Sequence, residues 1–184
     1  MSLRTRFAAL AALTAAGAIA AAGATAATHA SSVSTKPCGQ DINWLKTSAQ
    51  GDVFEIDGGR MAQQKSANTT VQALGKRLQS DHTKSLVDAN KLAKKYGIKL
   101  EATPTPSEVW ELNIVNSLSG STFDTWYTSL EVYDHHQDIQ ETNDEVKLGC
   151  NAQIVGDAKQ ELPMLKTHLQ LSQQANAAVG GDTK

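Results

Sequence analysis

The chain has 184 residues, of which 40% are hydrophobic and 5% aromatic, with 17 basic and 19 acidic side chains. A chain of this length is expected to form one domain with its own core. The net charge of −2 argues against a nucleic-acid-binding protein, whose phosphate contacts need a basic face.

The first 26 residues have the pattern of a secretory signal peptide. Arg4 and Arg6 precede an alanine-rich apolar run, and the small residues Ala24 and Ala26 fit cleavage after residue 26. Cleavage after Ala30 fits as well. We expect an exported, periplasmic or envelope-associated protein whose mature chain has no transmembrane segment. Loss of the two arginines would change the net charge from −2 to about −4.

After a linker at 27–39, we expect one helical domain over 40–178 and a flexible tail at 179–184. The first long helix is predicted from Asp41 to Ser66, where apolar residues recur at spacings of three and four. Adjacent glycines at 58 and 59 lie inside this helix. They indicate either close packing against a neighbouring helix or a local kink.

Capping signals predict the next two helices. Thr69 and Gln72 form a capping box for a second long helix that Gly97 ends. A proline-punctuated segment follows, and Thr105 with Glu108 forms another capping box for a short helix. The segment and the short helix together make a long connection.

Two further long helices complete the chain. The third is predicted from Ser121 to Gly149 and has apolar residues on more than one face, so we expect it to be largely buried. Asn151 is the expected cap of the fourth, in which Pro163 predicts a kink. The tryptophans are expected to pack inside the domain: Trp44, Trp110 and Trp126.

Four long helices, one short helix and no strand-like alternation predict an all-α fold, most simply a four-helix bundle. The two cysteines, Cys38 and Cys150, are expected to pair after export, although two free thiols remain the alternative. A disulfide requires Cα atoms within about 7 Å, which a plain up-down-up-down bundle does not allow between these positions. The pair therefore predicts a ferritin-like order, with a long crossover between the second and third long helices.

Three histidines share an apolar helix face with neighbours three or four residues away: His82, His135 and His168. They lie on three different helices and are expected to point into the bundle, where such folds build metal sites. His136 is one position further round its helix and is expected to face elsewhere. Imidazole ligands suit zinc, copper, nickel or iron.

Nearby carboxylates are candidate ligands or acceptors that orient the imidazoles: Glu55, Asp81 and Asp134. The Glu-x-x-His pairs of a di-iron site are missing, because Gln79, Val132 and Leu165 stand three residues before the histidines. The alternative interpretation needs no metal. In it, the histidines form hydrogen bonds inside the core with Asp81, Asp134 or a tyrosine (Tyr127 or Tyr133).

Four segments resemble an exported bacterial family called domain of unknown function 4142. They are "FEIDGGRMAQQKS", "LQSDHTKS", "LSGSTFDTWYTSLEVYDHH" and "ELPMLKTHLQLS". The resemblance extends from about residue 41 to 175 and implies a ferritin-like fold and export, but no agreed activity. It places the family's characteristic positions on these residues: Glu55, Asp81, His82, Asp134, His135 and His168. The two cysteines, Phe54 and His136 depart from the pattern.

These features predict an exported helical bundle that binds a metal ion or a small cofactor through its inward histidines. A non-enzymatic envelope or stress-related interaction protein with purely structural histidines is the alternative. No catalytic residue is assigned, and a redox enzyme would need an open coordination position.

Overall fold

A computed structural model describes residues 35–181, which form five α-helices and no strand. The helices are α1 (Gly39–Lys65), α2 (Thr69–Tyr96), α3 (Pro106–Ser117), α4 (Gly120–Leu148) and α5 (Ala152–Ala178). The all-α prediction is therefore confirmed for this range. The predicted signal peptide, most of the predicted linker and the last three residues of the predicted tail lie outside the described residues.

Local sequence signals determine most of the helix ends. The side chain of Asn151 accepts hydrogen bonds from two backbone N–H groups at the start of α5. Thr105 and Glu108 form the predicted capping box of α3, and Gly97 ends α2 with a left-handed φ of 67°. The predicted cap of α2 was wrong by one position. Asn68 is the cap, because its side chain accepts from the N–H groups two and three residues on, and Thr69 is already helical.

The helices α1 and α2 approach each other closely at Gly59 and Gly75. A Cβ atom added to Gly59 would lie 2.4 Å from the carbonyl oxygen of Gly75, and one added to Gly75 would lie 2.6 Å from the carbonyl oxygen of Gly59. Because α1 runs without interruption through this position, close packing rather than a local break explains Gly59. Helices α4 and α5 form the other extensively packed pair.

The segment between α2 and α4 contains α3, which packs against α1 and α4. Two expectations for this part were wrong. Trp110 on α3 is 64% exposed and Trp126 on α4 is 56% exposed, so only Trp44 of the three tryptophans is buried. Tyr133 on α4 is also exposed, so α4 carries a solvent face instead of being largely buried. Helix α5 continues through Pro163.

The start of α1 is covalently linked to the turn between α4 and α5. Cys38 and Cys150 form a disulfide with a Cα–Cα distance of 5.9 Å. Asp41 lies beside it and accepts hydrogen bonds from the backbone N–H groups of Cys150 and Asn151, at 2.9 and 3.0 Å. Burial tends to raise the pKa of Asp41, but these backbone donors outweigh it and hold the pKa below its usual value.

A polar layer separates two apolar clusters in the core. One cluster is built around Leu74, Leu78 and Phe123, and the other around Trp44, Leu45 and Ile154. Between them, the buried faces of the four long helices carry acidic and imidazole side chains instead of aliphatic ones. A buried layer of this kind needs hydrogen-bond or ionic partners, and these define the candidate site.

Of the helices between residues 35 and 181, none combines the length and the apolar character required to cross a lipid bilayer.

Candidate metal centre

Three imidazoles meet inside the polar layer. His82 extends from α2, His135 from α4 and His168 from α5, and each is at most 2% exposed. Their ring centroids are separated by 5.1 Å (82 to 168), 5.3 Å (135 to 168) and 5.9 Å (82 to 135). The neighbouring His136 is exposed, as its position on the helix predicted.

One nitrogen of each ring is held by an oxygen acceptor. Nδ1 of His82 lies 2.8 Å from Oδ1 of Asp52, and Nε2 of His168 lies 3.0 Å from Oδ2 of Asp81. Nδ1 of His135 lies 2.9 Å from the backbone carbonyl oxygen of Glu131, one turn earlier on α4. Such contacts fix ring orientation and tautomer, as the outer partners of metal-bound histidines do.

The other nitrogen of each ring has no hydrogen-bond partner and is buried: Nε2 of His82, Nε2 of His135 and Nδ1 of His168. For His135 the tautomer follows directly, because a carbonyl oxygen only accepts, so Nδ1 carries the hydrogen and the neutral ring presents a lone pair at Nε2. Nitrogens from the three rings lie within 4.8 Å of one another. The site therefore brings together ring nitrogens that can accept a hydrogen bond or bind a metal ion, and no hydrogen-bond donor reaches them.

The three imidazoles are neutral at physiological pH. Burial lowers the pKa of His82 to about 4. Burial and then the nearby His82 lower the pKa of His168 to about 4, even though Asp81 acts in the opposite direction. Burial, followed by the other two rings, places the pKa of His135 well below its usual value. Neutral imidazole is the form that binds metal ions.

Asp81 connects the site to the protein surface. Besides His168, it forms ion pairs with Arg77 and, at 3.4 Å, with Lys84 on α2. Burial tends to raise the pKa of Asp81, but the hydrogen bond from His168 and the charge of Arg77 keep it below its usual value. Asp81 is therefore an ionised acceptor for the imidazole.

Asp52 is more deeply buried than Asp81, and burial raises its pKa well above the usual value. Its Oδ1 contacts His82, while Oδ2 has no hydrogen-bond partner. When Asp52 is ionised, the ring N–H at Nδ1 of His82 donates to it and Nε2 keeps its lone pair. A cavity of about 20 Å³, enough for one water molecule, borders both Asp52 and His82.

A second group of polar side chains lies on the Nδ1 side of His135. Oε1 of Glu55 and Oε2 of Glu131 are 3.6 and 3.8 Å from that nitrogen. Burial, followed by the charges of Glu131 and Asp134, raises the pKa of Glu55 well above its usual value. Burial raises the pKa of Glu131 to about 8 and that of Asp134 to about 7. The hydroxyl of Tyr127 is buried beside Glu131 without a hydrogen-bond partner.

The structure divides the six predicted site residues into two groups. The three histidines and Asp81 meet at one point, whereas Glu55 and Asp134 lie with His135 at the second group. Sequence reasoning missed Asp52 and Glu131, and it considered Tyr127 only as a hydrogen-bond partner of the histidines. Asp52 and Glu131 had a detectable signal, because each is an acidic residue at a position that helical periodicity assigns to a core face.

Comparison with solved structures supports the helical fold. A crystal structure of a DUF305 fragment from Deinococcus radiodurans superposes with a TM-score of 0.68, covering 79% of this chain and 98% of that chain at 12% identity. At this identity the similarity concerns the fold alone. A search of curated proteins found no match.

The model of a family described as "Domain of unknown function (DUF4142)" matches residues 20–175. This range includes α1 to α4, most of α5 and all the side chains of both polar groups. This chain therefore belongs to the DUF4142 family.

Proposed function

We propose that this protein binds one transition-metal ion through His82, His135 and His168. The observation that carries the proposal is the set of three buried ring nitrogens that have no hydrogen-bond partner and come from three different helices. A buried acceptor without a partner destabilises the fold by about 1–3 kcal/mol. A metal ion satisfies all three nitrogens at once, and it is the simplest ligand that does.

The chemistry of the donors restricts the metal. Neutral imidazoles suit zinc, copper, nickel or iron rather than magnesium or calcium. Asp52, Asp81 and the carbonyl oxygen of Glu131 hold the opposite ring nitrogens, which raises the basicity of the ligand and limits ring rotation. The ligands of a tetrahedral zinc ion are about 3.4 Å apart, and one nitrogen from each of the three rings already lies within 4.8 Å of the others.

A binding role fits the surroundings of the site better than catalysis on an organic substrate. The cavity beside His82 has room for only one water molecule, so it offers no space for an organic substrate. We propose metal binding or storage as the primary role. Turnover of a small organic substrate by the metal-loaded protein would contradict this part of the proposal.

The proposed export is consistent with the disulfide, since such bonds persist in oxidising compartments such as the periplasm. We propose that the mature chain begins near residue 27 or 31 and resides in the periplasm or cell envelope. Cell fractionation and the intact mass of the natively produced protein test this. A full-length chain in the cytoplasmic fraction would contradict it.

We also propose the ferritin-like helix order. Lys95 near the end of α2 contacts Gln153 at the start of α5, whereas Thr128 near the start of α4 contacts Asn176 near the end of α5. Because α5 is about 40 Å long, the segment carrying α3 would have to cross from one end of the bundle to the other. An experimental structure in which it joins neighbouring helix ends would exclude this order.

The test of metal binding is metal content by mass spectrometry on protein purified without a histidine tag. We expect about one zinc, copper, nickel or iron ion per chain in the wild type after loading, and loss of that ion in His82→Ala and His168→Ala. The matched control is His136→Ala, which removes an exposed imidazole next to His135. Equal metal content in all four proteins would refute the proposal.

The competing function is that of an interaction protein with structural histidines. It is favoured by an apolar groove between α3 and α4, lined by the exposed side chains of Trp110, Ile114, Trp126 and Tyr133. Exposed aromatic side chains are enriched at protein interfaces. A metal-free wild type with unchanged stability after metal addition would favour this function.

A further inference from the structure

The second polar group contains two carboxyl groups whose burial is complete. Glu55 and Glu131 are 0% and 1% exposed, and none of their four carboxylate oxygens has a hydrogen-bond partner. The hydroxyl of Tyr127 is equally buried and also lacks a partner. Buried carboxyl groups are nearly always paired or bound to a cation, because an unpaired one is costly to remove from water. A cation bound among these side chains would remove that cost.

The side chains of the group come from facing turns of α1 and α4. Glu55 lies one turn before Gly58 on α1, and a Cβ added to Gly58 would lie 3.5 Å from Oε1 of Glu131 and 3.6 Å from the ring of Tyr127. Glu131 and Tyr127 thus lie against α1 at Gly58. Asp134 follows one turn after Glu131, and a carboxylate oxygen of Asp134 lies within 4.8 Å of ligand atoms of Glu55 and His135.

This group is distinct from the three-histidine site. Its oxygens face Nδ1 of His135, whereas the nitrogen without a partner is Nε2, on the opposite side of the ring. Nδ1 itself donates to the carbonyl oxygen of Glu131. His135 therefore stands between two sets of ligand atoms of different chemistry.

We propose that Glu55, Glu131 and Asp134, with the hydroxyl of Tyr127, form a second metal site that binds a hard divalent cation. Carboxylate and hydroxyl oxygens are the ligands of manganese, magnesium and calcium. Carboxylates on two different helices would enclose the ion between α1 and α4.

An acidic surface cavity borders Asp134. The cavity has a volume of about 150 Å³, lies between the start of α3 and the middle of α4, and is lined by Glu108, Glu111, Asp134, Asp138 and Glu141. Asp134 belongs both to this cavity and to the buried group, so it connects the two. A cleft lined by one sign of charge concentrates counter-ions and accelerates their entry. The cavity would therefore concentrate cations beside Asp134, at the edge of the buried group.

The test is a titration of the metal-free, full mature chain with manganese(II). Binding is measured as the loss of the free-ion signal in electron paramagnetic resonance. We expect the wild type to bind one manganese ion, and Glu131→Gln to bind it at least about tenfold more weakly, since a neutral amide replaces a charged ligand. The matched control is Glu145→Gln, which alters a buried carboxyl near the disulfide that contacts neither site. It should bind manganese like the wild type.

Two further variants keep the outcome decisive. Glu55→Gln should reproduce the loss if Glu131→Gln fails to fold, which circular dichroism would reveal. His82→Ala should keep manganese binding while losing the ion of the three-histidine site, so that failure of one site is distinguished from failure of the other. Absence of manganese binding to the wild type, or equal affinity in the wild type, Glu131→Gln and Glu55→Gln, would overturn the second site.

Discussion

The contact between α1 and α2 offers a sharp test of the fold, because two adjacent glycines in α1 have different surroundings. A Cβ on Gly59 would lie 2.4 Å from the carbonyl oxygen of Gly75 and 3.0 Å from the backbone nitrogen of Gln79. Both are backbone atoms, which side-chain rotation cannot move. Gly59→Ala therefore requires the two helices to separate by about 1 Å to reach ordinary van der Waals distance.

Gly58→Ala is the matched control. Its added Cβ would lie at 3.5 Å or more from its neighbours, which is ordinary contact. Both positions are inside α1, so both alanines gain about 1 kcal/mol of helix propensity. That gain cancels in the comparison, and the remaining difference is the cost of overpacking, about 1–3 kcal/mol. We expect Gly58→Ala to be neutral or stabilising and Gly59→Ala to be destabilising.

The assay is urea and thermal unfolding followed by circular dichroism, with the disulfide intact in all proteins. For a domain of about 150 residues, 1 kcal/mol corresponds to about 2–4 °C in Tm, so the two variants should differ by about 2–12 °C. If Gly59→Ala is as stable as Gly58→Ala, the helices are not in the contact described here.

Three further predictions concern the disulfide, a helix cap and a buried acid. Reduction of the disulfide, which links residues 112 positions apart, should lower the free energy of unfolding by about 4–5 kcal/mol; a change below about 1 kcal/mol in urea titrations would contradict it. Asn68→Ala should lower the free energy of unfolding by about 1 kcal/mol, whereas Thr69→Ala should change it little, because Asn68 is the cap of α2. A larger loss of stability in Thr69→Ala than in Asn68→Ala, measured by thermal melts, would instead make Thr69 the cap. Burial and the neighbouring Asp41 raise the pKa of Glu145 from 4.5 to about 8. The folded state therefore keeps a proton that the unfolded state releases, so the free energy of unfolding should fall between about pH 4.5 and 8, by at most about 1.4 kcal/mol per pH unit for this group. Glu145→Gln should remove part of that slope, and an unchanged pH profile would argue against the raised pKa.

Much of the secondary structure follows from the sequence, because the signals are local. Gly97 and the Thr105–Glu108 capping box mark helix ends through bonds within a few residues. The direction in which each of the three histidines points from its helix also follows from the sequence, since 3.6 residues per turn determine which side chains share a face. The error at the start of α2 arose because two adjacent polar residues both suit a cap, and the backbone conformation selects Asn68.

The exposure of whole faces required the tertiary structure. Trp110 and Trp126 look like core residues by type, yet they border an open groove between α3 and α4. How far α3 covers α4 depends on the path of the long connection. Hydrophobic residue type alone does not reveal whether a neighbouring helix covers a given face.

Helical periodicity alone was enough to predict that three imidazoles point inward from three helices, and the residue types alone that two cysteines can pair. The acids that accompany them became clear from the packed helices, which pair Asp52 with His82 and Asp81 with His168. They separate Glu55 and Asp134 into a second group with Glu131. Periodicity fixes the direction of a side chain within its own helix. The contacts between helices depend on their relative rotation and axial position, which arise from packing such as the Gly59–Gly75 contact and are not encoded in any single segment.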